Sequence, residues 1–191
     1  MSRQPAMRTY VALLRAVNVG GTKRMAMAQL RVSLEALGLA DVRTYLQSGN
    51  AVFRAPDTGE GVERVLAECI SECIATDFGH AVEVLVLTAE QLAAIVADNP
   101  FAARPDVDIK TLGATFLFSA VDEPTFAALT LPIAPGEEAA WGGSVVYLHL
   151  PHGYANTKLN PGRALKMPAT TRNWRTVLAL NEMADQAGSN H

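Results

Sequence analysis

Between residues 9 and 87 the apolar side chains fall into six stretches whose spacing reads strand, helix, strand, strand, helix, strand, and that order admits few folds. Residues 9–15 are apolar on both faces, as a strand central in a sheet must be. After the loop NVGGTKRM, Met27, Leu30, Leu34 and Leu37 recur at helical spacing until Gly38, a suitable C-terminal stop. Strands are expected at 42–47 and 51–54, joined by Ser48, Gly49 and Asn50, residues that tolerate the backbone angles of a tight turn. Asp57 and Thr58 are capping candidates for a helix reaching about residue 77. Its expected buried stripe is Val62, Val65, Leu66, Cys69, Ile70, Cys73 and Ile74. Residues 82–87 supply the last strand. The order βαββαβ is that of the split βαβ, or ferredoxin-like, unit.

A further helix is expected over 89–97, where Thr88 and Gln91 fit a capping box. Residues 99–111, with Pro100 and Pro105, read as a connecting loop between a first α+β subdomain at 1–98 and a second at 112–191, the two packed as one compact unit. In the second half the pattern partly recurs. Strands are expected at 114–118 and 144–150, a short helix near 123–129, another around 157–166, and a last helix from Thr171 or Arg172 to Ala184. This half reads as a shorter, degraded copy of the first.

The sign of charge is segregated along the chain although the net charge is only −3, too small for a general nucleic-acid binder. No acid occurs from residue 1 to 34, where Arg3, Arg8, Arg15, Lys23, Arg24 and Arg31 lie. None occurs from 139 to 181 either, a stretch carrying Lys158, Arg163, Lys166, Arg172 and Arg175. If the two segments meet, they form one positive face. The 49% hydrophobic content is that of a globular chain with no run long enough to span a membrane. The first residues do not read as a signal peptide, and two cysteines do not make a disulfide framework, so a cytoplasmic location is expected.

Several motifs could carry chemistry. In the loop Asn18-Val19-Gly20-Gly21, followed by Lys23 and Arg24, glycines let successive N–H groups turn toward an anion. The spacing matches neither a P-loop nor a dinucleotide fingerprint, and a plain turn also explains it. Cys69 and Cys73 share a helix face, but they fall within the apolar stripe and are expected to be buried hydrophobes rather than metal ligands. His149 and His152, near Tyr154, could serve proton transfer, though no carboxylate lies within ten residues of either. Arg172 and Asn173, placed in the first turn of the last helix, sit where a cation is unfavourable, which asks for a partner such as a buried acceptor or a bound anion.

The runs YVALLRAVNVGG (10–21), 27–38, VRTYLQSGNAVF (42–53), Asn99-Pro100-Phe101 and TRNWRTVLAL (171–180) closely resemble, in order and over nearly the whole chain, the family known as domain of unknown function 1697. One departure is Ala16, where that family usually has glycine. The resemblance implies two similar, intertwined α+β subdomains and supplies no activity. Function is therefore read from the residues as a binding module for an anionic, phosphate-bearing ligand such as a nucleotide or nucleic acid. Its expected ligand-binding residues are Arg15, Asn18, Gly20, Gly21, Lys23, Arg24, Arg172 and Asn173. No metal or cofactor is expected. Two other readings stay open: a protein-interaction or self-associating scaffold, and a small-molecule enzyme using the same basic cleft.

Overall fold

The structure is a computed structural model describing residues 5–189, so Arg3 lies outside the described residues. Strand β1 (Met7–Leu14) is flanked on both sides, as its doubly apolar sequence demands. It pairs antiparallel with β3 (Asn50–Pro56) and with β4 (Val84–Thr88), and β2 (Ala40–Thr44) closes the sheet in the order β2-β3-β1-β4. The register between β2 and β3 shifts between Ala40 and Arg43, and Asp41 there has a positive φ. Such an irregularity, with charged side chains on the strand, blunts an exposed sheet edge.

Helices α1 (Met27–Ala36) and α2 (Val62–Phe78) contribute Leu30, Leu34, Ile70 and Ile74 to the core that holds Tyr10, Ala12 and Leu14 of β1. All of these are fully buried, each aliphatic side chain contributing roughly 1.5–3 kcal/mol. The expected stripe on α2 is narrower than its sequence suggests. Val62, Ile70 and Ile74 are buried, whereas Val65 is 52% exposed, Cys69 is exposed and Cys73 only half-buried. Cysteine is small enough to sit at the margin of a helix face without a large apolar loss, which is why periodicity alone misplaces it. Nor do Asp57 and Thr58 cap α2: its N-cap is Gly61, in the left-handed region, and Asp57 Oδ1 instead accepts from the Gly59 N–H.

Helix α3 (Ala89–Ala97) begins at the capping box read from the sequence. The Thr88 N–H donates to Gln91 Oε1 at 2.8 Å and the Gln91 N–H to Thr88 Oγ1 at 3.1 Å.

The chain divides into two units, Met1–Ala93 with Leu180–His191, and Ala94–Ala179. In the second, β5 (Leu112–Leu117), α4 (Glu123–Ala127), β6 (Glu138–Trp141), β7 (Val145–His149), α5 (Pro161–Leu165) and β8 (Ala169–Asn173) form a sheet in the order β6-β7-β5-β8. The element order is again βαββαβ, with every strand present. Two strands escape a reading by periodicity. Strand β6 is four residues long, and β8, Ala-Thr-Thr-Arg-Asn, has no apolar alternation. Helix α6 (Trp174–Ser189) consequently starts later than expected, and it is capped not by a threonine but by Asn173, whose Oδ1 accepts from the Thr176 N–H and hydroxyl. The helix expected around 157–166 shortens to α5, which opens at Pro161 and is capped by Asn160.

Candidate functional site

In the first unit, the sequence-predicted residues Arg15, Asn18, Gly20, Gly21, Lys23 and Arg24 occupy one loop after β1. Ala16, Asn18, Gly20, Gly21 and Lys23 all have positive φ. At Ala16, with φ 55°, the backbone adopts the conformation glycine tolerates best, which is a physical reason for glycine at that position in similar chains. The loop is tied together internally. Asn18 Nδ2 donates to the carbonyls of Met25 (2.9 Å) and Gln47 (2.7 Å), and its Oδ1 accepts from the Met25 N–H (2.8 Å). Lys23 donates to the Ala81 carbonyl, and Arg15 is ion-paired with Glu83. Across the same unit Arg8 meets Asp57 and Glu90, and Arg31 meets Glu35. Folding therefore matches much of the first basic segment with carboxylates from the acidic part of the chain.

Arg172 and Asn173 lie in the second unit, on β8 rather than on the helix. Alternation along the strand puts Thr170 and Arg172 on a buried face and leaves Thr171 and Asn173 exposed. The Arg172 guanidinium donates to Thr170 Oγ1 (2.7 Å) and to the Thr171 carbonyl (3.0 Å). Burial disfavours its charge and brings its pKa down to about 10. The conflict with a helix dipole inferred from the sequence does not arise, because the residue is in a strand.

The second acid-free segment behaves differently from the first. Lys158 and Arg163 both line a cleft of about 750 Å³ whose floor includes the buried Leu148, Leu150 and Leu159, and Tyr154 borders it. None of the residues lining the cleft is acidic. Neither cation takes part in an ion pair among the described residues. Tyr154 is placed by the strand beneath it: its hydroxyl donates to the Leu112 carbonyl at 3.0 Å and lies 3.5 Å from that of Arg172. A Cβ on Gly113 would fall 1.6 Å from the hydroxyl oxygen, so glycine at 113 is what admits the tyrosine. Burial pushes the phenol well above its usual range, and its hydroxyl serves as a hydrogen-bond anchor on the strand.

His149 finds the carboxylate that its sequence neighbourhood lacks. Glu138 stands opposite it on β6, and Glu138 Oε1 lies 3.0 Å from His149 Nδ1. Arg104 grips the same carboxylate at 2.8 and 3.3 Å and lies 5.3 Å from the centre of the Phe101 ring. Hydrogen bonds from Arg104, then from His149, hold the Glu138 carboxyl below its ordinary range. His152 is 3.1 Å from the Pro135 carbonyl oxygen. Among the described residues no group of three His, Cys, Asp or Glu side chains is placed to hold a metal, and no helix is long and apolar enough to cross a membrane.

Residues 7–147 match the family described as protein of unknown function DUF1697. The chain belongs to that family. Among solved structures the chain is similar to the conserved bacterial protein SP0830 from Streptococcus pneumoniae, 25% identical, with a TM-score of 0.70 over 94% of this chain and 99% of that one. No curated protein matches the chain significantly. Family membership leaves the cleft without an assigned ligand. Lys158 and Arg163 lie beyond the stretch that carries the DUF1697 match. In the sequence both are members of an acid-free run with nothing local to distinguish them from its other cations. The usable signal was that run itself, since only folding shows which of its cations border a cavity.

Proposed function

We propose that this protein is a binding module for a small anionic, phosphate-bearing ligand, held in the cleft of the second unit. The observation that carries the reading is the lining of that cleft: two cations, Lys158 and Arg163, with no acidic side chain among the residues around them. A cation not paired with a carboxylate stays available to an incoming anion, and a guanidinium grips phosphate oxygens in bidentate fashion. The volume suits a ligand of ordinary metabolite size. The loop bearing Arg15, Asn18, Gly20, Gly21, Lys23 and Arg24 supports an anion site less well, because Asn18 is committed to the backbone and Arg15 to Glu83. Each unit is also read as a ferredoxin-like fold and the chain as a duplication, on the shared element order and equivalent strand orders of the two sheets.

A thermal-shift series with inorganic phosphate, sugar phosphates, nucleotides and short oligonucleotides tests the function, since a ligand that binds only the folded state must raise its apparent stability. Millimolar organic phosphates should raise Tm. Lys158→Ala and Arg163→Ala should each weaken binding roughly tenfold, while Arg24→Ala leaves it unchanged. Absence of any shift, or equal sensitivity to Arg24→Ala, refutes the assignment. Preferential binding of oligonucleotides with a steep salt dependence would replace the small ligand by nucleic acid.

A further inference from the structure

We infer that the ligand of this cleft is a mononucleotide, with Tyr154 the side chain that selects for its planar base; the inference rests on the reading of the cleft as an anion site. Tyrosines at surfaces ordinarily bury the ring and keep the hydroxyl in water. Tyr154 does the reverse. Its hydroxyl is spent on the Leu112 carbonyl at 3.0 Å, over a glycine that leaves no room for a Cβ, yet 37% of the residue stays exposed. With the polar tip pressed onto the backbone, what remains accessible at the cleft is ring body and main chain. The ring is thereby fixed before any ligand arrives, so little side-chain freedom is lost when a flat partner covers it. The rest of the lining complements such a partner: Leu148, Leu150 and Leu159 give an apolar floor, and Lys158 and Arg163 supply charge for a phosphate. A bare sugar phosphate would use the cations and leave the exposed aromatic surface wet. A nucleobase would cover it, and stacking on an aromatic side chain tolerates any base because each has a π-face.

Calorimetric titration of the full chain with AMP, CMP and ribose 5-phosphate decides the matter. Both nucleotides should bind roughly 5- to 150-fold more tightly than ribose 5-phosphate, the range expected for one base stacked on one aromatic ring. Tyr154→Phe keeps the ring but loses its anchor on the Leu112 carbonyl, and should keep only part of that preference. Tyr154→Leu should bring the nucleotides down to the affinity of ribose 5-phosphate measured on the same variant. Should Tyr154→Leu fail to fold, the wild-type comparison still decides, and a preference weakened in Tyr154→Phe supports the anchored ring. Equal affinities for all three ligands on the wild-type protein overturn the nucleotide inference while leaving the anion site standing, and an undiminished preference in Tyr154→Leu overturns the role given to Tyr154. Failure of all three to bind removes the anion site itself, and this inference with it.

Discussion

Replacing Gly113 by alanine tests whether Tyr154 is held as described. The new Cβ would lie 1.6 Å from the tyrosine oxygen and 2.7 Å from Cζ, while its nearest backbone neighbour, the Arg172 carbonyl oxygen, would be at 3.1 Å. The hydroxyl would have to retreat by roughly 1.8 Å to reach ordinary van der Waals separation. A 3.0 Å bond to Leu112 cannot survive that displacement. Losing the bond costs about 1 kcal/mol and forcing the ring from its seat about 1–3 more, against a gain of about 0.5–1 from replacing glycine within a strand. The net cost is about 1–3.5 kcal/mol. Tyr154→Ala should cost about 2–3 kcal/mol as well, from the same hydrogen bond and the apolar area of the ring. In the double variant the Cβ occupies space the tyrosine has vacated, so only the glycine-to-alanine gain of about 0.5–1 kcal/mol remains and the two costs fall short of additivity by about 2–4 kcal/mol. Equilibrium urea unfolding of the four proteins measures this coupling. Costs that add to within about 0.5 kcal/mol would show that Gly113 and Tyr154 do not share a contact, and the fixed ring would have no basis.

Asn18→Ala removes three hydrogen bonds that close the loop after β1 and puts a less tolerant residue at φ 54°, so stability should fall by about 2–4 kcal/mol with anion affinity unchanged. Unchanged stability with weakened phosphate binding would instead make this loop the ligand site. Glu138 supplies a pH test. Its carboxyl is held below the ordinary range by Arg104 and then His149, so its contribution is complete above the unfolded-state pKa of about 4.3 and is lost as pH falls through the lower folded value. The stability difference between wild type and Glu138→Gln should therefore shrink on acidification below about pH 5. A difference constant from neutral pH to about pH 3 would contradict the ion-paired geometry.

Elements built on apolar periodicity were legible without coordinates. The first βαββαβ unit, the helix over 89–97 and its Thr88–Gln91 box follow from spacing and local hydrogen-bonding capacity, and both are properties of neighbouring residues. Strand β8 was misread because Thr-Thr-Arg-Asn carries no apolar alternation; its pairing with β5, from Gly113↔Asn173 to Leu117↔Ala169, comes from a strand more than fifty residues away. The thiols of α2 were misplaced because small, weakly polar side chains have too little transfer energy to dictate which way a helix margin faces.

By itself the sequence determined the α+β class, the order of most elements and the two acid-free segments, since each depends on residue type and short-range spacing. Only the tertiary structure decided that Arg8 and Arg15 meet carboxylates while Lys158 and Arg163 border a cleft that has none. It alone brought Glu138 to His149 and laid Tyr154 over Gly113. These are contacts between residues far apart along the chain, and Coulombic attraction and packing depend on distance in space, which a one-dimensional pattern does not contain.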